Sequence, residues 1–150
     1  MNNNGNIGNG NYGYHNYGDF NHGNWNYGES NCGDRNIGNR NIGNGNIGNW
    51  NCTDNAYGHF NTKPSTEFCV FNKPYNQELW DTYRLLPQWL YYYIGNEKAY
   101  LIPMETSWNN ATHEDKMRTY GIPNFDADIA QQIFSIYFKR YLITNTINKG

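Results

Sequence analysis

The first sixty residues of the 150-residue chain contain no lysine and no leucine, although they hold most of its glycine and asparagine. A segment of that composition cannot build a conventional packed core of large aliphatic side chains. After Asn61, leucine, isoleucine and the aromatic residues occur in amounts typical of a small globular fold. We therefore predict a division into a repeat segment over residues 1–60, a linker over residues 61–74 and a small helical module over residues 75–150.

The sequence also lacks a segment that would direct the chain into or across a membrane. No charged stretch followed by an apolar one opens it, as a secretion signal would require. The longest apolar stretch, Leu85 to Ile94, is interrupted by Pro87 and Gln88 and contains three tyrosines. Such a stretch does not predict a membrane span. We expect no signal peptide, no membrane partner and a cytoplasmic location.

Cysteine is scarce, since Cys32, Cys52 and Cys69 are the only three and none forms a CxxC pair. An odd number without that spacing predicts neither a disulfide framework nor a zinc site. One disulfide stays open, because stacked repeats could bring Cys32 and Cys52 within bonding distance. Reduced cysteines that fill space are the commoner alternative.

The first sixty residues carry no strong excess of either positive or negative charge. Two basic residues, Arg35 and Arg40, partly balance the acidic ones. The acidic residues are Asp19, Glu29, Asp34 and Asp54. The segment is therefore neither a basic surface for nucleic acid nor a strongly acidic one, and we expect no nucleic-acid partner.

The same segment contains a five-residue repeat in unbroken register from Asn6 to Phe60. Eleven pentads follow one another, with Asn at the first place in ten of them and Gly at the third place in ten. Only Ala56 and Thr53 depart from this pattern. The second place is Ile, Tyr, Cys, or His, whereas the fifth place varies. A fixed short period predicts a solenoid, in which stacked neighbours form a continuous interior.

This NxGxx pattern resembles the pentapeptide-repeat family. The resemblance implies a right-handed quadrilateral β-helix with about four pentads per coil, and therefore about three coils here. The predicted fold class is a β-solenoid followed by a small, mainly α-helical module. In such a coil, residues about twenty positions apart would stack. The stacked sets would be Cys32 over Cys52, Tyr17 over Ile37 over Tyr57, and Ile7 over Tyr27 over Ile47.

The repeated Gly and Asn also have physical reasons that do not depend on the resemblance. Gly adopts positive φ without steric cost, which a corner in every pentad requires. Asn side chains stacked one coil above another can form ladders in which each amide donates to the next. Such ladders would satisfy polar groups in an interior that has no leucine.

Two registers are compatible with the pattern. If Asn and Gly face inward, the isoleucines of the second place lie outside and require a partner surface. If the second place faces inward, Arg35 and Arg40 also turn toward the interior, which is costly. We favour the first register. An Asn/Gly tract is also compatible with disorder or with a multi-chain assembly of glycine-rich strands, although disorder does not require a strict five-residue register.

Three helical segments are predicted after the repeats. Thr112 and Asp115 form a capping pattern for a helix over His113 to Tyr120, which Gly121 would end. A second helix is predicted over Phe125 to Tyr141 with Asn124 as its N-cap. A third segment, Leu79 to Tyr93, has helical spacing but should kink or split at Pro87. A short strand is predicted over Lys98 to Pro103.

The C-terminal motifs resemble those of pentapeptide-repeat proteins of bacteriophages and prophages of Gram-positive bacteria. The matching residues are Phe60 to Thr62, Phe71 to Pro74, Trp108, Ile122 to Asp126, Ile133 and Phe134. This resemblance implies a host-cell or virion-associated location, and it transfers no reaction mechanism.

No residue pattern predicts catalysis, a cofactor or a metal site. The four histidines are scattered without ligand spacing, and they are His15, His22, His59 and His113. The acidic pairs Glu114 with Asp115 and Asp126 with Asp128 lie at predicted helix starts, where capping explains them. We therefore expect a chain that is not an enzyme.

An interaction surface is the remaining candidate site. Its residues are Trp25, Trp50, Phe20 and Phe60 at the fifth place, and Ile37, Ile42 and Ile47 at the second. We expect a structural or protein-interaction role, with an unidentified protein partner or a second copy of the chain. The alternative is a DNA-mimicking topoisomerase inhibitor, as some pentapeptide-repeat proteins are, although the charge here makes poor mimicry. A third hypothesis for the function is an ice-binding or glycan-binding face.

Overall fold

The computed structural model describes residues 5–91, 104–139 and 141. One sheet contains, in this order, the strands β1 (Ile37–Asn39), β2 (Ile47–Asn49), β3 (Tyr57–His59), β4 (Cys69–Val70) and β5 (Lys73–Pro74). A 3-10 helix (Gln77–Leu79) follows, and then α1 (Thr82–Leu85), α2 (Gln88–Tyr91), α3 (Met104–Asn110), α4 (His113–Thr119) and α5 (Ala127–Phe134). The repeat segment is a β-solenoid, and helices follow it.

Stacked residues in the solenoid are ten positions apart. Parallel pairing joins Ile37 to Ile47 and Ile47 to Tyr57, and isolated bridges continue the same offset back to Ile7 with Tyr17. A coil therefore contains two pentads. The predicted stacking of residues twenty apart is wrong, and so is the quadrilateral coil of four pentads. The estimate of about three coils assumed that coil and no longer holds.

The narrow coil follows from the side chains that fill it. The first-place residues Asn36 and Asn41, which belong to one coil, are both fully buried. Two short amide side chains fill a narrow interior, whereas a four-sided coil would need larger residues to close its centre at normal packing density. The favoured register, with Asn inward and the isoleucines outside, is therefore confirmed.

Glycine at the third place is required by both conformation and space. Gly38 has φ 123°, a backbone conformation that residues with a side chain rarely adopt. A Cβ atom on Gly38 would lie 1.8 Å from the carbonyl oxygen of Gly48 in the next coil. The close approach of the next layer therefore requires that residue 38 has no side chain.

The fifth place adopts the left-handed conformation even where it is not Gly. Trp25, Arg35 and Phe60 have φ values of 60°, 60° and 58°. Residues other than Gly, Asn and Asp seldom take this conformation. The sequence predicts positive φ for the glycines, and in the structure these bulky fifth-place residues have positive φ as well.

The sheet continues beyond residue 60, into the range predicted as a linker. β3 pairs in parallel with β4 through Gly58 and Cys69, and β4 pairs antiparallel with β5. Residues 69–74 therefore add two strands to the end of the solenoid. Both strands lie within the range 61–74 that the sequence predicts as a linker.

The predicted helices are partly right. Thr112 caps α4 by accepting a hydrogen bond from Asp115 N at 3.0 Å, as its sequence pattern predicts. Pro87 separates α1 from α2, which confirms the split. The prediction for α5 is wrong at both ends, because Asp126 is its N-cap and the left-handed Ser135 ends it. Asn124 itself has φ 60° and cannot begin that helix. The predicted strand over Lys98 to Pro103 lies outside the described residues.

The hydrophobic core joins the last coils of the solenoid to the helices. Trp50, Phe60 and Phe71 stack in three successive layers, with ring centroids 5.6 Å and 4.8 Å apart. Phe134 of α5 packs against Trp50 and Phe60, with its ring centroid 5.9 Å from each of theirs. The remaining buried members come mainly from the helices and include Leu86, Trp89, Leu90, Trp108, Ile122, Ala130, Ile136 and Phe138. The helical part thus covers one end of the solenoid.

Candidate functional site

Two ladders of asparagine amides hold the interior of the solenoid. Asn36 donates from Nδ2 to Asn26 Oδ1 at 3.0 Å and to Gly43 O at 2.9 Å. Its own Oδ1 accepts from N and Nδ2 of Asn46, both at 3.1 Å. The first ladder contains Asn6, Asn16, Asn26, Asn36 and Asn46, and the second contains Asn11, Asn21, Asn31, Asn41, Asn51 and Asn61. The predicted amide ladders are therefore confirmed.

The ladders end where the repeat pattern changes. Ala56 N donates to Asn46 Oδ1 at 3.0 Å, but Ala56 has no amide that could continue the first ladder. The second ladder continues through Asn61, whose Oδ1 accepts from Asn72 N at 2.8 Å. The substitution of Ala for Asn at residue 56 thus marks the last layer of one side of the coil.

Second-place side chains form two exposed columns because alternate pentads lie on different sides of the coil. The first outer column contains Ile7, Tyr17, Tyr27, Ile37, Ile47 and Tyr57, and the second contains Tyr12, His22, Cys32, Ile42 and Cys52. From Ile7 to Ile47 the side chains of the first outer column are between 45% and 61% exposed. Tyr17 and Tyr27 stack with ring centroids 4.8 Å apart and only 4° between their planes. This column is an exposed, contiguous and mainly apolar strip.

The structure separates the residues of the predicted interaction surface. Ile37 and Ile47 lie in the first outer column and Ile42 in the second. Among the fifth-place aromatics, Trp25 is exposed and Phe20 is half-buried, whereas Trp50 and Phe60 are buried in the core. They also lie in different columns, since Phe20, Trp50 and Phe60 share one side of the coil and Trp25 lies on the other. Trp50 and Phe60 therefore attach the helices and are unavailable to a partner.

A groove that the sequence did not predict lies along the other fifth-place column. We call it the outer groove; its lining residues are Tyr14, His15, Asn24, Trp25, Asp34, Arg35 and Asn44, and its volume is about 660 Å³. The rings of His15 and Trp25 stack in successive layers at 4.3 Å. Flat rings ten positions apart, here His15 and Trp25, are the signal in the sequence that could have revealed both the groove and the ten-residue period.

The fourth-place side chains of the outer groove are fixed by backbone hydrogen bonds. Asn24 Oδ1 accepts from Tyr14 N at 2.9 Å, Asp34 Oδ1 from Asn24 N at 2.8 Å and Asn44 Oδ1 from Asp34 N at 2.8 Å. Each side chain thus uses one oxygen to join two layers. The other polar atom of each group lies at the surface of the solenoid.

His59 has a structural environment rather than a catalytic one. Its Nδ1 accepts from Asn49 N at 3.1 Å, and its ring stacks on Trp80 with centroids 4.5 Å apart. Burial lowers the pKa of His59 from 6.5 to about 4. The imidazole is therefore neutral near pH 7, as its role as an acceptor requires.

The other candidate residues show no reactive arrangement. All three cysteines are free, and Ile42 lies between Cys32 and Cys52 in the column, which rules out the considered disulfide in this structure. Asp115 accepts from the backbone N atoms of Gln88 and Trp89 at 2.8 and 2.9 Å, so it caps α2. Across residues 5–91, 104–139 and 141, no group of three or more His, Cys, Asp or Glu could hold a metal ion.

Comparison with known proteins identifies the repeat. A family model described as pentapeptide repeats (8 copies) matches residues 4–44. The matched part is therefore a pentapeptide-repeat segment, as its resemblance to that family implied, and the match does not extend to the helices. No curated protein and no solved structure matches the chain. Within the part of the chain that the structure describes, no helix is long and apolar enough to cross a membrane.

Proposed function

We propose that this chain is a non-catalytic structural or protein-interaction protein. In this proposal the solenoid is a rigid support, its first outer column binds a partner protein, and the helices cap its end. The resemblance of the C-terminal motifs suggests a bacteriophage or prophage setting, in the host cell or on the virion. The pentapeptide-repeat match supports a non-catalytic repeat protein in general.

The observation that carries the proposal is the exposure of the first outer column. Its side chains from Ile7 to Ile47 stay 45% to 61% exposed although most are large and apolar. The amide ladders and the layer-to-layer backbone bonds hold these side chains in fixed positions about 4.8 Å apart. A flat apolar strip of this kind loses little entropy on binding and favours a flat, apolar surface of another protein.

A crosslinking experiment tests this proposal. A photoreactive phenylalanine analogue replaces Tyr27 in the first outer column, and the matched control carries it at Tyr12 in the second. Both tyrosines are exposed, at 58% and 71%, so neither replacement should disturb the fold. We expect one defined product in host cells from position 27 and not from position 12. A product of twice the chain mass would identify the partner as a second copy.

A triple variant, Tyr27→Ser, Ile37→Thr and Ile47→Thr, supplies the second half of the test. It should lose the partner that the wild-type chain captures while it keeps its unfolding midpoint. Equal capture by the triple variant and the wild type, or equal crosslinking at positions 27 and 12, would contradict the proposal.

The alternative of a DNA-mimicking topoisomerase inhibitor requires a continuous negative stripe, and no observation favours it. In one fourth-place column Asn44 lies between Asp34 and Asp54, and Arg35 follows Asp34 in the chain. The other two acidic residues, Asp19 and Glu29, lie on the opposite side of the coil. Over residues 5–60, the acidic side chains therefore form no continuous stripe.

A further inference from the structure

We propose that the outer groove binds an acidic oligosaccharide, with Arg35 pairing a sugar carboxylate and Trp25 packing against a sugar ring. The groove lies along the fourth- and fifth-place columns and does not include the first outer column. This site and the proposed protein-binding strip are therefore independent.

The first argument is the conformation of Trp25. Its φ of 60° is unfavourable for a bulky residue, and Trp50 and Phe60 share that conformation but gain burial in the core. Trp25 gains no such burial, since 60% of it is exposed. In the same column Gly45 and Asn55 occupy the two layers beyond Arg35, and both suit positive φ. A strained, exposed tryptophan at a place where Gly or Asn would serve points to a binding role.

The second argument is the set of polar atoms that the groove leaves without partners. Asn24 and Asn44 use Oδ1 to accept backbone hydrogen bonds, and Asp34 likewise uses one carboxylate oxygen. In the described parts of the chain, the Nδ2 groups of these two asparagines and the guanidinium of Arg35 have no hydrogen-bond or ion-pair partner. The outward groups are thus mostly donors, held one layer apart at about 4.8 Å.

These features select the class of ligand. An array of fixed donors beside an exposed indole fits a molecule with many hydroxyl oxygens and an apolar ring face, which is the chemistry of a sugar. The unpaired guanidinium adds a preference for a carboxylate, which it can bind through two parallel hydrogen bonds. Among the described residues that line the groove, Arg35 is the one cationic side chain and lies beside Asp34, which suits a single carboxylate better than the row of phosphates of a nucleic-acid strand, so single-stranded nucleic acid fits less well.

The probe for the test is a hexuronic acid tetrasaccharide, with the neutral hexose tetrasaccharide of the same linkage as its control. Binding is followed by NMR through the indole N–H signal of Trp25, assigned by its loss in Trp25→Asn. That variant should fold normally, because Asn55 already holds the same place of the repeat with φ 55°. We expect the acidic tetrasaccharide to bind about tenfold more tightly than the neutral one.

Three variants complete the design. Trp25→Asn lacks the indole signal, so its binding is measured by calorimetry beside the wild type, and it should weaken binding of both saccharides. Arg35→Gln should weaken only that of the acidic one, by about tenfold. Arg40→Gln makes the same change of charge at the fifth place on the other side of the coil, and it should leave binding unchanged. The proposal is overturned if neither saccharide shifts the Trp25 signal, if both bind equally, or if Arg40→Gln weakens binding as much as Arg35→Gln. Tighter binding of a single-stranded oligonucleotide would also overturn it.

Discussion

Replacing Asn36 by alanine tests whether the amide ladders hold the solenoid together. Asn36 lies in the middle of the first ladder and is fully buried. The substitution removes the two hydrogen bonds that it donates, to Asn26 and Gly43, and the two that it accepts from Asn46. Every lost bond is between 2.9 and 3.1 Å long. The layers on both sides of residue 36 therefore lose contacts.

The size of the effect follows from which partners stay bonded. Asn26 Oδ1 keeps the bond from Asn36 N, and Asn46 Nδ2 keeps its bond to Thr53 O. The N–H of Asn46 loses its only acceptor in an interior that is closed to water. An ordinary hydrogen bond contributes about 1 kcal/mol, and a buried unsatisfied group costs about 1–3 kcal/mol. We expect the free energy of unfolding to fall by about 4 kcal/mol, a large part of the about 5–15 kcal/mol typical of a domain.

The measurement is equilibrium unfolding in urea, followed by tryptophan fluorescence and by hydrogen exchange of the Asn46 amide. The matched control is Ile37→Ala, since Ile37 is the next residue and its side chain is 51% exposed. The control should lower stability by less than about 1 kcal/mol. A loss for Asn36→Ala no larger than that of Ile37→Ala would refute the view that the ladder stabilises the fold.

Three further predictions concern other parts of the structure. Gly38→Ala places a Cβ 1.8 Å from Gly48 O and should cost at least about 3 kcal/mol, which loss of the solenoid's hydrogen-exchange protection would report. Burial lowers the pKa of His59 from 6.5 to about 4, so the unfolded chain binds the proton first as the pH falls. The stabilisation is complete above about pH 6.5, and about 3 kcal/mol of it is lost between pH 6.5 and 4, whereas His59→Asn should show no such loss in that window. Phe134→Ala removes the ring that packs on Trp50 and Phe60 and should lower stability by about 3–5 kcal/mol, with a shift in Trp50 fluorescence.

The inward place of Asn could be predicted from sequence, whereas the length of the coil could not. The alternative register would bury Arg35 and Arg40, and the free-energy cost of burying those charges favours the register with Asn inward. The number of residues per coil is not predictable in this way, because Asn and Gly recur in every pentad. A shift by any multiple of five residues leaves their pattern unchanged. Only the variable places distinguish ten from twenty, through pairs such as Tyr17 with Tyr27.

The candidate site was hard to predict for a related reason. The sequence groups Trp25 with Trp50 and Phe60 because all three share the fifth place. Their environments differ because the helices cover one end of the solenoid, a tertiary contact made by Phe134 that no local pattern shows. Likewise, the start of α5 depended on the left-handed conformation of Asn124 rather than on its capping preference.

The repeat separates the residues that stabilise this fold from those that can bind. Asn at the first place and Gly at the third supply the ladders and the close approach of the layers, so replacing either breaks contacts with the coils above and below. The second and fifth places contribute mainly backbone bonds to the stack, and away from the helices their side chains lie at the surface. Adjacent residues should therefore respond in opposite ways. Trp25→Asn should not lower the unfolding free energy but should weaken ligand binding, whereas Asn26→Ala should unfold the layers around it, because Asn26 is buried and donates to Asn16 Oδ1 at 3.0 Å.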